Sequence, residues 1–189
     1  METKDNLIEA ARELLWDRGY AATSPRAILD ASGAGQGSMY HHFRGKEELA
    51  LAAVQRNGEV IRGQMSADLA TGETALQRIE TYLRRERQVL RGCRFGKLAQ
   101  DPDVMDSAAL SDEVAQMFVW MRAQIAAVVD EGKASGEFPA SLDSTSVGTA
   151  VVAALQGAYV LARAAGDPGA FDLAIDGVLE LLRWASSRS

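Results

Sequence analysis

The residues best suited to chemistry lie between two glycines, in Gln36-Gly37-Ser38-Met39-Tyr40-His41-His42-Phe43. About two turns of helix over this stretch would put Met39 and Phe43, four residues apart, on one inward face. Gln36, Ser38, Tyr40, His41 and His42 would then face outward. A glutamine amide matches the edge of an adenine, a hydroxyl serves bases or phosphates, and a phenol holds a phosphate oxygen. Lys46 follows at the start of another helix, where its charge and the open backbone N–H groups together favour a phosphate. The set suits recognition of an anionic polymer rather than the making or breaking of bonds.

Other chemistries fare worse. His41 and His42 are adjacent, so they point to different sides of a helix and lack the i, i+4 spacing that chelates one metal. Gly33, Gly35 and Gly37 follow no strand and miss the G-x-G-x-x-G spacing of a nucleotide loop. No Ser/His/Asp, Cys/His or paired-carboxylate constellation has recognisable spacing, so no catalytic residue is expected and the chain does not read as an enzyme. The single cysteine, Cys93, excludes an intrachain disulfide and a Cys-based zinc site and fits a reducing compartment. No cofactor is expected.

The elements that must position these residues are all helical. Leu7, Ile8, Ala11, Leu14 and Leu15 form one helical stripe that Gly19 ends. Ser24 and Pro25 open a second, short helix as N-cap and first helical residue, and it runs to Gly33. A turn through Gly33 and Gly35 leads to the Gln36–Phe43 helix, and Gly45 separates that from a long helix starting at Lys46. Two short helices joined by a glycine-containing turn have the layout of a helix-turn-helix, whose second helix enters the DNA major groove. Further on, Leu76, Ile79, Leu83 and Leu90 keep helical spacing, as do Val114, Met117, Phe118, Met121, Ile125, Val128 and Val129. A Val, Ala and Gly helix follows from Val147 to about Arg163. Asp167, Pro168 and Gly169 turn into a last helix with Phe171, Ala174, Ile175, Val178, Leu181 and Leu182 inward. No convincing strand appears. The expected fold is all-α, with a helix-turn-helix domain at 1–46 and a ligand-binding and dimerisation domain at 47–189.

Composition is compatible with this. The 189 residues are 47% hydrophobic, 24% charged and 6% aromatic, as in an ordinary folded domain. Net charge is −6, which excludes a polycation that coats nucleic acid without choice, yet Arg18 to Lys46 carries +3 and the remainder −9. The N-terminus mixes acids and bases through its apolar positions, unlike a signal peptide. The stretch from Val147 to Ala162 is short and contains Thr149 and Gln156, so it reads as a buried helix, not a membrane span. A cytoplasmic protein without membrane contact is expected.

The segment AILDASGAGQGSMYHHFRGKEELALAAV resembles the DNA-binding signature of TetR-family regulators: a small-residue turn, then Gly-Ser-hydrophobic-Tyr-His-His-Phe, then a Lys-Glu-x-Leu helix start. Less specifically, Gly136-Glu137-Phe138 and the Gly157-Ala158 step resemble that family's C-terminal half. Gly92 to Ala99, with Cys93, Phe95 and Gly96, is similar to a segment in the branch of lincomycin-resistance repressors. The resemblance implies about nine helices, three reading DNA and the last two forming a four-helix homodimer interface. By it, Ser24, Arg26, Gln36, Gly37, Ser38, Tyr40, His41, His42 and Lys46 are the DNA-binding positions. Two departures stand out: Gly35 replaces a common Ser or Thr, removing a side-chain N-cap from the recognition helix, and Gln36 replaces a frequent lysine. Pro25 also stands where a hydroxyl residue is common.

The function implied is a sequence-specific repressor released from a palindromic operator by a small-molecule effector. The alternatives are an activator of the same architecture and a helical ligand-binding bundle that has lost DNA binding. For the effector, Tyr82, Cys93, Phe95, Met117, Trp120, Met121 and Tyr159 are the pocket candidates, because Met and aromatic residues suit adaptable apolar sites; as an apolar stripe they serve equally as core. The basic run Arg84, Arg85, Arg87, Arg91, Arg94 and Lys97 reads as a solvated face or as a contact for an anionic ligand.

Overall fold

The computed structural model describes residues 3–187, and every regular element among them is a helix. The outermost residues of the expected domains, 1, 2, 188 and 189, lie outside the described residues. Ten α-helices follow in order: α1 Thr3–Arg18, α2 Pro25–Ser32, α3 Gln36–His42, α4 Lys46–Leu69, α5 Ala75–Arg84, α6 Arg94–Leu98, α7 Pro102–Met105, α8 Ala108–Ala134, α9 Ser144–Ala165 and α10 Gly169–Ser186. A 3-10 turn covers Val89–Arg91. With the single turn of α7 set aside, this is the nine-helix, strand-free architecture expected.

The chain forms two compact units, each with a segment from either side of the other. One holds Met1–Ile61 and Arg94–Met117; the second holds Arg62–Cys93 and Phe118–Ser189. In the first, α1 buries Leu7, Ile8, Ala11 and Leu15 and packs on α2 and α3. Gly19 ends α1 with a φ of 80°, a left-handed conformation that glycine adopts without strain. The Ser24 hydroxyl caps α2 by accepting a hydrogen bond from Ala27 N at 3.1 Å, and Gly33 closes the helix in the left-handed region. At the start of α4, Glu48 reaches back to the backbone N–H of Arg44 at 2.8 Å, satisfying a donor left open at the helix start.

In the second unit, α10 packs along α9 and α5. Gly148 in α9 is required by closeness: a Cβ there would lie 2.5 Å from the Arg122 carbonyl oxygen in α8. Asp143 caps α9 by accepting from Thr145 N and Ser146 N. Three expectations are corrected here. The Leu76 to Leu90 periodicity is not one helix: α5 stops at Arg84, Arg85 is extended, and Leu90 is exposed in the 3-10 turn. Leu181 does not face inward, since α10 buries Phe171, Ile175, Leu179 and Leu182 and leaves Leu181 70% exposed. Finally, α9 is not buried all round. Its buried face is Gly148, Val151, Val152, Leu155, Ala158 and Ala162, while Ala153, Gly157, Val160 and Leu161 are exposed. By length and composition it is apolar enough to cross a membrane.

Candidate functional site

Helix α3 is held by two anchors and presents nearly everything else. Met39 is fully buried and Phe43 almost so. Gln36, Gly37, Tyr40 and His41 are exposed, Tyr40 by 54%, and Ser38 and His42 are half-buried. Gly35 is the N-cap, extended at φ −74° and ψ 151°, with no side chain to bond the first turn. The helix start therefore relies on backbone bonds from Ser38 N and Met39 N to the Gly35 carbonyl, at 3.0 and 3.3 Å. Phe43 N closes the other end on Met39 O at 2.8 Å. The Lys4 ammonium lies 5.8 Å from the Phe43 ring centroid.

The other expected DNA-binding side chains are partly engaged within the protein. Ser24 is exposed and its hydroxyl caps α2. Arg26 is exposed and pairs with Asp30 one turn on, at 3.0 Å. Lys46, the first residue of α4, sets its ammonium 4.0 Å from the centroid of the Tyr20 ring. Burial, with smaller contributions from Glu47, Asp103 and Asp101, raises the Tyr20 hydroxyl pKa above its ordinary value. The His41 and His42 rings meet edge to face at 5.0 Å, and among the described residues no cluster of His, Cys, Asp or Glu is arranged to hold a metal.

Behind these helices lies a brace that the sequence reading missed. Arg94 stacks 3.7 Å from the centroid of the Trp16 ring, donates to the Arg12 carbonyl at 3.1 Å and pairs with Glu13 at 2.6 Å. Lys97 donates to the carbonyls of Trp16 and Asp17 at the C-terminus of α1, where a cation is favoured. Asp101 accepts from Tyr20 N at 2.6 Å and Ala21 N at 3.2 Å. Elsewhere in the basic run, Arg84 pairs with Glu80 and Asp176, Arg85 with Asp68, and Arg91 bonds Gln88. These cations balance internal carboxylates and helix ends. Only the apolar residues between them, such as Phe95 and Leu98, hinted that the segment is packed.

The pocket candidates divide between the units. Phe95 and Met117 belong to the first, both fully buried; Tyr82, Cys93, Trp120, Met121 and Tyr159 belong to the second. Tyr82 and Met121 are buried, and Cys93, Trp120 and Tyr159 half-buried. Arg87 gathers part of the second set. Its guanidinium donates to the carbonyls of Tyr82, Leu83 and Arg85, the last two at 2.8 and 2.6 Å, which is why α5 cannot run on. It also lies 5.2 Å from the Tyr82 ring and 6.0 Å from Phe171, and Phe171 packs at 5.0 Å on Tyr159. Burial pushes the Tyr82 hydroxyl up to about 12, against the pull of Arg87, and raises Tyr159 as well; burial lowers the Arg87 pKa. Trp120 stands with another arginine, Arg62, whose guanidinium is 5.8 Å from its ring centroid.

Comparison with known proteins agrees with the exposed α3 and its helical support. Residues 7–53 match the family model of bacterial regulatory proteins of the tetR family, and residues 53–178 match that of the tetracyclin repressor-like C-terminal domain. The transcriptional regulator AcuR of Cereibacter sphaeroides is 26% identical over 165 residues, 84% of this chain and 75% of that protein. The transcriptional repressor KstR2 of Mycolicibacterium smegmatis is 27% identical over 148 residues, 74% of this chain and 69% of that one. The crystal structure of a TetR transcriptional regulator from Chloroflexus aurantiacus superposes with a TM-score of 0.86 at 27% identity, covering 94% of this chain and 92% of that one. With the two family models together spanning residues 7–178, this chain belongs to the TetR family and is a DNA-binding transcription regulator, not an enzyme.

Proposed function

We propose that the chain is a cytoplasmic, homodimeric repressor that reads a palindromic operator with α3 and leaves it when a small-molecule effector binds the body. The observation that carries the reading is the division of α3 into a buried pair, Met39 and Phe43, and an outward row of Gln36, Gly37, Tyr40 and His41. In this reading Gln36 and Ser38 address base edges, and Tyr40, His41, His42 and Lys46 address phosphates and the groove wall. Gly37 lets the backbone come close: a Cβ there would meet nothing within 4 Å. Ser24 and Arg26 flank the same surface from α2. Functionally, residues 1–46 are the reading head and 47–189 the body that senses and dimerises.

Exposed apolar residues on the last two helices support the dimer. Leu173, Gly177, Leu181 and Trp184 fall on one face of α10, and Gly157, Val160 and Leu161 are exposed on α9. Two such helices from each of two chains make a four-helix interface, and its two-fold axis would set the recognition helices one DNA turn apart, about 34 Å. The effector acts through α4, which begins at Lys46 and continues into the sensing body. Effector and operator then weaken each other by the same factor. Tyr82, Cys93, Trp120, Met121 and Tyr159, all in the second unit, remain the residues from which the effector site is drawn.

The test is selection of bound duplexes from a random pool, followed by titration of the winning sequence across salt. An inverted repeat, bound with a negative slope of log K against log salt and lost in Tyr40→Ala, is the expected result. Enrichment of no sequence at low salt, or of a sequence without two-fold symmetry, overturns the reading. An activator shares all these residues and is told apart by where the operator lies relative to the promoter.

A further inference from the structure

Among the described residues, two buried side-chain donors of the second unit lack an acceptor: Arg62 Nε and Gln156 Nε2. Arg62 is the more telling. It leads that unit as its first residue, is half-buried, and among the described residues makes no ion pair and no hydrogen bond; its guanidinium carbon lies 5.8 Å from the Trp120 ring centroid. Every other arginine described in the body has an oxygen partner or is exposed to solvent. A partly buried guanidinium without counter-charge is costly to the fold, and an orphaned buried N–H adds to that cost. A residue of this kind is accounted for if its partner arrives from outside.

We propose that Arg62 and Trp120 form the recognition end of the effector site, and that the effector is a monoanionic carboxylate carrying a flat apolar body. This deepens the ligand-released reading and rests on it. The Trp120 ring lies 5.8 Å from the guanidinium carbon, and no described residue accepts from Nε–H, which leaves that donor for an acceptor from outside. A carboxylate fits such an edge with two parallel hydrogen bonds, and the planar guanidinium is the side chain best matched to it. Arg62 brings one positive charge, and a monoanionic carboxylate matches it without excess. The apolar body would lie along Trp120. Because Arg62 is on α4, sixteen residues after Lys46, the effector takes hold of the same helix that starts at the operator phosphate.

Two flat acid probes, 2-naphthoate and trans-cinnamate, and their primary amides test this, titrated calorimetrically into the full chain and its Arg62→Gln and Arg62→Met variants. At least one acid should bind the native chain tenfold or more tighter than its amide, and the preference should vanish in both variants. Arg62→Met should also raise Tm by about 2–4 °C, since it removes an orphaned buried N–H. Equal binding of acid and amide, no binding of either acid, an acid preference that survives Arg62→Gln, or a lowered Tm in Arg62→Met overturns the proposal. Operator titration of the same variants separates the two readings. Native-like operator binding with no acid preference sinks the carboxylate site alone, whereas an acid preference without any operator sinks the repressor reading and spares the site.

Discussion

The ammonium of Lys46 stands 4.0 Å from the centroid of the Tyr20 ring, so the first residue of α4 is held against an aromatic face. A lysine ordinarily loses much rotamer freedom on gripping a phosphate, and a ring that already holds it reduces that loss. Lys46→Ala should weaken operator binding about equally for all sequences and reduce the salt slope by about 1. Tyr20→Leu should keep the slope and lower affinity several-fold, while Tyr20→Phe stays near native. Fluorescence anisotropy with a labelled operator across salt measures all three. A Lys46→Ala variant with an unchanged slope would place that ammonium away from the phosphates.

The helices of the reading head were legible because each carries its own punctuation: Ser24 with Pro25, Gly33, and the Met39 and Phe43 pair that fixes which side of α3 faces out. Lys46 was legible as the first residue of a helix, but the Tyr20 ring beneath it was not, since nothing in sequence ties a loop residue to one twenty-six positions on. The α6–α7 brace was hidden for a related reason. Arg94, Lys97 and Asp101 look like surface charge in a linear reading, and only the fold brings them to the end of α1. Leu90 misled because helical spacing persisted past Arg84, where Arg87 takes the carbonyls that a longer helix would need. Leu181 misled in another way: an apolar residue next to a core position passes for core until the partner surface is considered.

Gly148 makes a sharp stability test. Its absent side chain is what lets α9 lie against the α8 backbone, where a Cβ would be 2.5 Å from Arg122 O and 3.2 Å from Ala126 N. Backbone atoms cannot swing aside as a side chain can. Gly148→Ala gains helix propensity of about 1 kcal/mol in an exposed site, yet here overpacking of about 1–3 kcal/mol should prevail. Gly63→Ala, in an exposed turn of α4 with nothing within 4 Å, is the control and should leave the chain as stable or more so. Urea denaturation of both variants decides; a native-like Gly148→Ala would mean the two helices separate at no cost.

Tyr82 gives the body an alkaline limit. Burial lifts its hydroxyl from the ordinary 10 to about 12, so the folded state holds a proton that the unfolded chain releases first. Below pH 10 both states are protonated and this group confers no pH dependence. Between about 10 and 12 the unfolded state loses its proton while the folded state keeps it, and stability falls as pH rises. Tyr159 is raised in the same direction and adds to the slope. Thermal melts from pH 8 to 11.5 should show Tm dropping above pH 10, with a shallower drop in Tyr82→Phe. An unchanged slope in that variant would assign the alkaline loss to other groups.

The exposed face of α10 should decide affinity for DNA without touching it. Leu173 is 74% exposed, Leu181 70% and Trp184 60%, spaced at four- and three-residue steps through Gly177, so they form one stripe rather than scattered apolar residues. Such a stripe on a chain of this size is unusual unless something covers it. A charge at its centre opposes a two-fold interface twice over, because each partner contributes the same residue to it. Leu181→Arg should therefore keep the native helical content while shifting sedimentation to the monomer. The same variant should bind a full inverted repeat no better than a single half-site, because the second reading head is no longer tethered to the first and its effective concentration is lost. A variant that stays dimeric would move the interface off α10, and one that turns monomeric yet keeps full operator affinity would show that dimerisation is dispensable for reading.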